Sequence, residues 1–254
     1  MVLAPALALA MAGKGDDVTD AGIRGWDPPK FKVGRSWPPV VLALVVAPVI
    51  LSFGTDSPIW GMRPKDGLRG TYFGLLGLAL FLPARFLASV LPAEKERGTA
   101  LSMALAPFPR QAFLRTLAWR ALRPWLAVIT LLGIAQSWAW SQFWSDRWYD
   151  PWGIPVLSLC GPLGLFVISA GLSLWAGVRC RTSPGAVALA LVLGGVLAGG
   201  FCLLAAGLIR IWNSDLAAIA ASATFLLASP VIWWIASARA AADFDRGILG
   251  WEEA

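Results

Sequence analysis

The chain has 254 residues, of which 57% are hydrophobic and only 14% charged, with a mean hydropathy of +0.66. An ordinary soluble domain carries about 25% charged residues, so this composition excludes a soluble globular domain and favours a helical membrane protein. The net charge of +6 does not indicate nucleic acid here, because in a membrane protein the placement of the basic residues matters more than their sum. The chain contains no His, which excludes His-based metal and haem sites and His general bases.

The first 36 residues contain scattered Lys, Asp, Pro and Gly, and they predict a polar N-terminal region, 1–36. Their start, "MVLAPALALAMAG", resembles a cleavable signal peptide at Ala10-Met11-Ala12 but lacks the basic segment that such peptides carry. We therefore expect a frayed or surface-lying segment there.

Apolar runs of about 20 residues, each long enough to cross a ~30 Å hydrocarbon core, predict a transmembrane domain over residues 37–238. The predicted fold class is all-α, a polytopic membrane protein with six transmembrane helices and a cytoplasmic amphipathic coupling helix between helices 2 and 3. The spans are expected at 38–55, 70–92, 124–144, 154–178, 185–209 and 216–237, with an amphipathic tail at 239–254.

Basic residues predict the orientation of these six spans. With both termini inside, the inner segments hold 15 Lys and Arg and the outer loops hold 5, with Arg85 inside the second span. The positive-inside rule therefore favours cytoplasmic termini. It also predicts that the segment between the second and third spans is cytoplasmic.

That segment, 93–110, contains two acids and two bases at consecutive positions, then a Gly-Thr step and a short apolar stretch closed by prolines. Leu101, Ala104 and Leu105 follow the spacing of an amphipathic helix. The acids suit the positive end of a helix dipole, so we expect that helix to begin near Glu94. Pro107 and Pro109 should end it, and a second helix should follow, with Arg115, Arg120 and Arg123 facing lipid phosphates.

"EKERGT", followed after seven residues by "PFPR", resembles the coupling segment of the membrane-spanning permeases of type-2 ATP-binding cassette (ABC) exporters. The residues in register are Glu94, Lys95, Glu96, Arg97, Gly98, Thr99, Pro107 and Arg110. The resemblance covers about 25 residues, and the chain departs from the family pattern at Leu101, Ala106 and Pro109.

The resemblance implies a permease subunit in a cytoplasmic (inner) membrane that exports a substrate, with its coupling segment seated in a separate ABC ATPase subunit. It also implies a second permease subunit, as a homo- or heterodimer. The chain has no G-x-x-x-x-G-K-[ST] phosphate loop, so any ATP would be bound by the partner, and we expect neither a cofactor nor an enzymatic activity in this chain. The substrate stays open among lipid, glycan, peptide and drug. The alternative function is a non-transporting membrane anchor or assembly scaffold.

Four further features allow two interpretations each. Arg85 lies within the second span, where an Arg is costly, and it belongs either to a translocation path or subunit contact or to a snorkelling, structural position. Trp140, Trp144, Trp148 and Trp152 favour an interfacial girdle over a substrate platform.

The pairs Gly195/Gly199 and Gly70/Gly74 indicate close helix packing within the subunit or a dimer seam. Cys160 and Cys202 are expected in the core, whereas Arg179 and Arg181 could lower the thiol pKa of Cys180 between them.

Overall fold

The computed structural model describes residues 64–96, 109–144, 153–212 and 215–249, and these ranges are almost entirely helical, with no β-strand among them. In chain order the elements are α1 (Pro64–Pro83), a π-helical turn (Ala84–Ala88), α2 (Val90–Glu96), α3 (Arg110–Trp144), α4 (Gly153–Arg179), α5 (Ser183–Trp212) and α6 (Asp215–Leu249).

Five stretches of this bundle are long and apolar enough to cross a membrane: Gly67–Glu96, Arg110–Ser141, Leu159–Arg179, Ser183–Phe201 and Ala223–Phe244. They indicate a multi-pass membrane protein and confirm the second to sixth predicted spans as helices. The first predicted span, 38–55, lies outside the described residues, as do the N-terminal region 1–36 and residues 97–108 of the coupling segment.

The structure corrects three sequence-based boundaries. Residues 110–123 do not form a separate helix, because α3 continues from Arg110 through Pro124 to Trp144. Likewise α6 continues past residue 238 to Leu249, so most of the predicted tail is part of the sixth helix. Glu94 and Glu96 lie in a helix that begins at Val90, so the expectation that they open a helix, and the dipole argument behind it, is wrong.

Helix α4 lies at the centre of the bundle. Most of its apolar stretch Leu159–Arg179 is buried, whereas little of the stretch Ser183–Phe201 in α5 is. Three glycines make room for the neighbours of α4, because a Cβ at Gly164 would meet the Phe225 ring, at Gly171 the Trp233 backbone 3.2 Å away, and at Gly177 the Ala88 carbonyl oxygen 3.0 Å away. Small residues of this kind let helices approach closely where lipid supplies no hydrophobic drive for association.

The π-helical turn follows Pro83, whose ring nitrogen has no hydrogen to donate to the preceding turn. Ala84 and Ala88 in the turn are buried against Ala176, Ala186 and Ala190, so α4 and α5 both approach the chain at this point. The irregular turn therefore forms part of the packed core, between the apolar body of α1 and the charged helix α2.

The structure does not bear out the packing of the glycine pairs within the described bundle or the exposure of Trp140. Gly70, Gly74, Gly195 and Gly199 have no atom within 4 Å of the place a Cβ would occupy, so packing inside the described bundle does not account for them. Trp140 is only 6% exposed, whereas Trp138 is 48% exposed. The expectation that Trp140 faces a lipid girdle is wrong because its side of α3 faces the core, and Trp148 and Trp152 lie outside the described residues.

Candidate functional site

The bundle has two ends, which we name after one residue each. At the Lys95 end, α2 and α4 finish, α3 and α5 begin, and α6 finishes. At the Gln136 end, α1 begins, α3 and α5 finish, and α4 and α6 begin. The candidate coupling residues that the structure describes are all at the Lys95 end.

Lys95 joins α2 to the end of α4. Its Nζ donates hydrogen bonds to the carbonyl oxygens of Val178, at 2.6 Å, and Cys180, at 3.3 Å. Carbonyl groups in the last turn of a helix lack intrahelical partners and carry the negative end of the helix dipole. The ammonium group therefore satisfies one acceptor in the last turn of α4, Val178, and one in the residue directly after the helix, Cys180.

Glu96 joins α2 to the start of α5. Its Oε1 accepts a hydrogen bond from the backbone N–H of Ser183, the first residue of α5, at 3.3 Å. The preceding residue, Thr182, accepts the Gly185 N–H on its own hydroxyl at 3.4 Å. These two oxygens cap open donors in the first turn of α5, and the carboxylate suits the positive end of its dipole.

Ser89 extends the same junction toward the π-helical turn. Its hydroxyl donates to the Arg85 carbonyl oxygen at 2.7 Å, and its own carbonyl oxygen accepts the Ser183 hydroxyl at 3.3 Å. Consequently the turn between α4 and α5 lies along the chain from Ser89, just before α2, to Glu96 at its end. We call this set of contacts the α2 junction.

Glu94 lies on the inner side of α2. It is only 2% exposed, so it faces the chain's own helices and presents little surface to a partner subunit. The adjacent acid, Glu96, is exposed. The two acids of the motif therefore have different surroundings, although their sequence positions suggest one role.

The other candidate residues divide between described and undescribed parts. Arg97, Gly98, Thr99 and Pro107 lie outside the described residues. Arg110 opens α3 and places its guanidinium 5.4 Å from the centroid of the Phe244 ring on α6, which also meets Phe113 edge to face at 6.1 Å. The far side of the coupling segment is thus attached to α6, whereas the near side is attached to α4 and α5.

Arg179 ties α4 to α6 at the same end. Its Nε lies 3.5 Å from Asp243 Oδ2, and its guanidinium lies 5.0 Å from the centroid of the Trp175 ring. The side chains of this ion pair are 58% and 27% exposed, so solvent screens it and its stabilisation is small, about 0–1 kcal/mol.

Cys180 does not have the activated thiol that its two flanking arginines suggest. Burial raises the pKa of the Cys180 thiol above its ordinary value, and the nearby Lys95 charge only partly opposes this. Cys160 is buried in the core as predicted. Among the residues that the structure describes, no group of three or more His, Cys, Asp or Glu side chains is placed to hold a metal ion.

Arg85 lies in the π-helical turn with its side chain exposed at the surface of the described bundle. It does not point into the packed core between α1, α4 and α5, where Ala84 and Ala88 lie. A surface position agrees with the snorkelling or contact interpretations, and the translocation-path interpretation stays a prediction.

Sequence reasoning missed a polar contact at the opposite end of the bundle. Gln136 is fully buried, and its Nε2 donates to the Leu68 carbonyl oxygen at 2.7 Å while its Oε1 accepts the Thr71 hydroxyl at 2.9 Å. A Gln in an otherwise apolar span is the signal that could have found this contact, because such residues hydrogen-bond across membrane helices.

Comparisons with known proteins do not assign the chain to a family. No protein-family model, curated protein or solved structure matches the chain.

Proposed function

We propose that the chain is the membrane-spanning permease subunit of an ABC exporter, driven by ATP hydrolysis in a separate ATPase subunit. In this proposal the Lys95 end faces the cytoplasm of a bacterial-type inner membrane, as the positive-inside rule favours. A second permease subunit, identical or different, would complete the transport unit.

The observation that supports this proposal is the α2 junction. Lys95 and Glu96 are consecutive residues, yet one binds the end of α4 and the other binds the start of α5. A displacement applied to the residues after Glu96 would therefore pull on two candidate spans at once. A plain loop joining two membrane helices would not need such connections.

The junction also changes the roles expected for the motif's residues. Glu94 is buried and Glu96 binds Ser183, so these acids would act inside the permease by transmitting motion. Contact with the ATPase would then fall to residues 97–107. ATP hydrolysis would bias two conformations of the bundle, and substrate would move because its access differs between them.

The first experiment tests the partner. The full-length chain is purified in mild detergent, and copurifying proteins are identified by mass spectrometry. We expect an ATPase with a G-x-x-x-x-G-K-[ST] loop, which is lost when residues 97–107 are replaced by a Gly/Ser sequence of equal length. The control, Arg246→Gln, changes an exposed residue of α6 and should retain the ATPase.

The second experiment tests transmission through the junction. In the reconstituted complex, Glu96→Ala should leave ATPase binding intact and separate ATP hydrolysis from transport, whereas Glu96→Gln keeps an oxygen acceptor for Ser183 and should be milder. Absence of any ATPase partner for the wild-type chain would defeat the proposal and favour the scaffold alternative.

A further inference from the structure

Four exposed arginines lie at similar heights along the bundle, and contacts between helices establish this. Ser169 of α4 bonds to the Leu80 carbonyl oxygen, and Gly177, two turns later, lies against Ala88. Helices α1 and α4 therefore run parallel at this point, and eight residues of one are level with eight residues of the other. Arg85 lies between those two contacts, level with Leu174.

Helix α6 advances in step with α4 as well. Gly171 lies against Trp233 and Ala236, and Arg179 pairs with Asp243. Arg239 lies between these contacts, level with Trp175. Since adjacent residues rise only 1.5 Å along a helix, Arg85 and Arg239 lie within about one turn, ~5 Å, of the same height.

Helix α3 runs in the opposite direction and contributes two more arginines. Its Trp125 stacks on Phe86 with ring centroids 4.9 Å apart, and its Phe113 meets Phe244 near the Lys95 end. Arg120 and Arg123 lie between Trp125 and Phe113. We call Arg85, Arg120, Arg123 and Arg239 the arginine band; its members fall within about two helical turns, ~10 Å, in height, and all four are exposed.

The exposed surface changes character at this band. On its Gln136 side, residues 70–84, 124–144, 153–173 and 216–238 contain no Asp, Glu, Lys or Arg. The large apolar side chains recorded as exposed in the described residues all lie at the band or on that side: Phe73, Phe81, Phe86, Leu131, Ile134, Trp138, Val192, Val196, Leu197, Leu203, Leu227, Val231, Trp234 and Ile235. Charged residues gather on the other side, among them Lys95, Glu96, Arg110, Asp243 and Arg246.

We propose that the arginine band binds the phosphate groups of anionic phospholipids in one leaflet and that the membrane surface lies at this height. Guanidinium groups pair with phosphate in a bidentate manner, and aromatic residues such as Trp125 and Phe86 favour the same interface. From Arg85 back to Lys65, near the start of α1, the helix rises ~30 Å, which equals the thickness of a hydrocarbon core.

This position of the membrane surface leaves the α2 junction outside the lipid. Arg85 to Lys95, Arg120 to Arg110 and Arg239 to Leu249 are stretches of equal length, and each extends about 15 Å toward the Lys95 end. Three helices would thus form a water-exposed extension of the bundle. The inference does not depend on an ATPase partner, because a scaffold would have the same boundary.

A depth measurement along α6 tests the boundary. Native cysteines are replaced, and spin labels are attached one at a time at Val231, Ile235, Ala242 and Arg246, four exposed positions on either side of Arg239, in the full-length chain reconstituted in vesicles. We expect molecular oxygen to relax the labels at 231 and 235 and a water-soluble nickel complex to relax those at 242 and 246. Exclusion of the nickel complex from 242 and 246 would overturn the proposal.

A lipid titration tests the phosphate contact. The unfolding midpoint is measured in vesicles of phosphatidylcholine alone and mixed with phosphatidylglycerol. The mixed lipid should raise the midpoint of the wild type, and Arg85→Gln/Arg120→Gln/Arg239→Gln should lose most of that rise. Single variants give a matched pair: Arg239→Gln should lose part of the rise, and Arg246→Gln, two turns further along α6, should keep it. A triple variant with an undiminished rise, or equal losses at 239 and 246, would refute the lipid contact.

Discussion

The two ends of the bundle are joined by different kinds of contact. At the Gln136 end, neutral groups with no access to water hold α3 against α1 through the Leu68 carbonyl oxygen. At the Lys95 end, partly exposed charged side chains hold helix termini, as Lys95 and Glu96 do for α4 and α5. The buried contact is costly to open because its groups would be left unpaired in a low-dielectric interior. The charged contacts open at lower cost because water replaces each lost partner.

From this difference we expect the Gln136 end to be the more rigid and the Lys95 end the more adjustable. A permease whose movement starts at its coupling segment needs contacts there that open and close repeatedly, and a fixed point elsewhere about which helices turn. The same contrast applies if the chain is a scaffold, in which case the Lys95 end is the surface that adapts to a partner. Four tests by substitution break or sharpen the contrast.

The largest effect is expected at Gln136. Gln136→Leu removes the donor to Leu68 and the acceptor for Thr71 inside the core, and we expect a loss of about 1–2 kcal/mol of stability. Thermal unfolding in detergent at low and at high salt measures it, and the loss should be the same in both because the contact is neutral. The control is Ile134→Leu, an exposed apolar exchange on the same helix. A variant as stable as the control would show that Gln136 does not fix this end.

A smaller and more local effect is expected at Lys95. Lys95→Met keeps the length of the side chain but leaves the Val178 and Cys180 carbonyl oxygens without their ammonium donor, at a cost of about 1 kcal/mol. Hydrogen exchange measured by mass spectrometry should accelerate in a peptide covering residues 178–188 and stay unchanged around Gln136. Equal acceleration at both ends would contradict the separation of the two regions.

These two residues also show how much of the molecule the sequence could predict. Length and hydropathy located five helices, since a run of about 20 apolar residues has few alternatives in lipid. The charged run 94–97 correctly marked one end of the second predicted span. The partners of Lys95 and Gln136 could not be predicted, because apart from the Thr71 hydroxyl they are backbone carbonyl groups far away in the sequence. The sequence does not say which carbonyl groups are left open at a helix end.

Continuity of helices was the other feature that the sequence misjudged. The sequence predicts a separate helix ahead of the third span at 124–144, and a tail that begins at residue 239 after the sixth span. Both helices instead run on as single elements. A polar composition shows where a chain leaves the membrane, but it does not stop a helix that still packs against its neighbours, as Phe113 and Phe244 do.

A matched pair of serines on α4 sharpens the contrast at a finer scale. Ser169 donates to the Leu80 carbonyl oxygen at 2.9 Å, whereas the buried hydroxyl of Ser173, one turn later, has no hydrogen-bond partner among the described residues. Ser169→Ala should lower stability by about 0.6 kcal/mol, a typical value for one hydrogen bond between membrane helices. Ser173→Ala should be neutral or slightly stabilising, because it removes an unpaired buried group. Thermal unfolding of both variants measures the two changes in stability. A larger loss in Ser173→Ala than in Ser169→Ala would contradict the hydrogen bond assigned to Ser169.

The smallest effect is expected at the ion pair between Arg179 and Asp243. Both side chains reach solvent, so Arg179→Gln or Asp243→Asn should each lower stability by no more than about 0.5 kcal/mol, and the difference should vanish at high salt. A double-mutant cycle with thermal unfolding at two salt concentrations measures the coupling. A coupling that persists in high salt would mean that the ion pair is shielded from solvent, as the hydrogen bonds of Gln136 are. A coupling that salt removes would place the pair with the other partly exposed charged contacts of the Lys95 end.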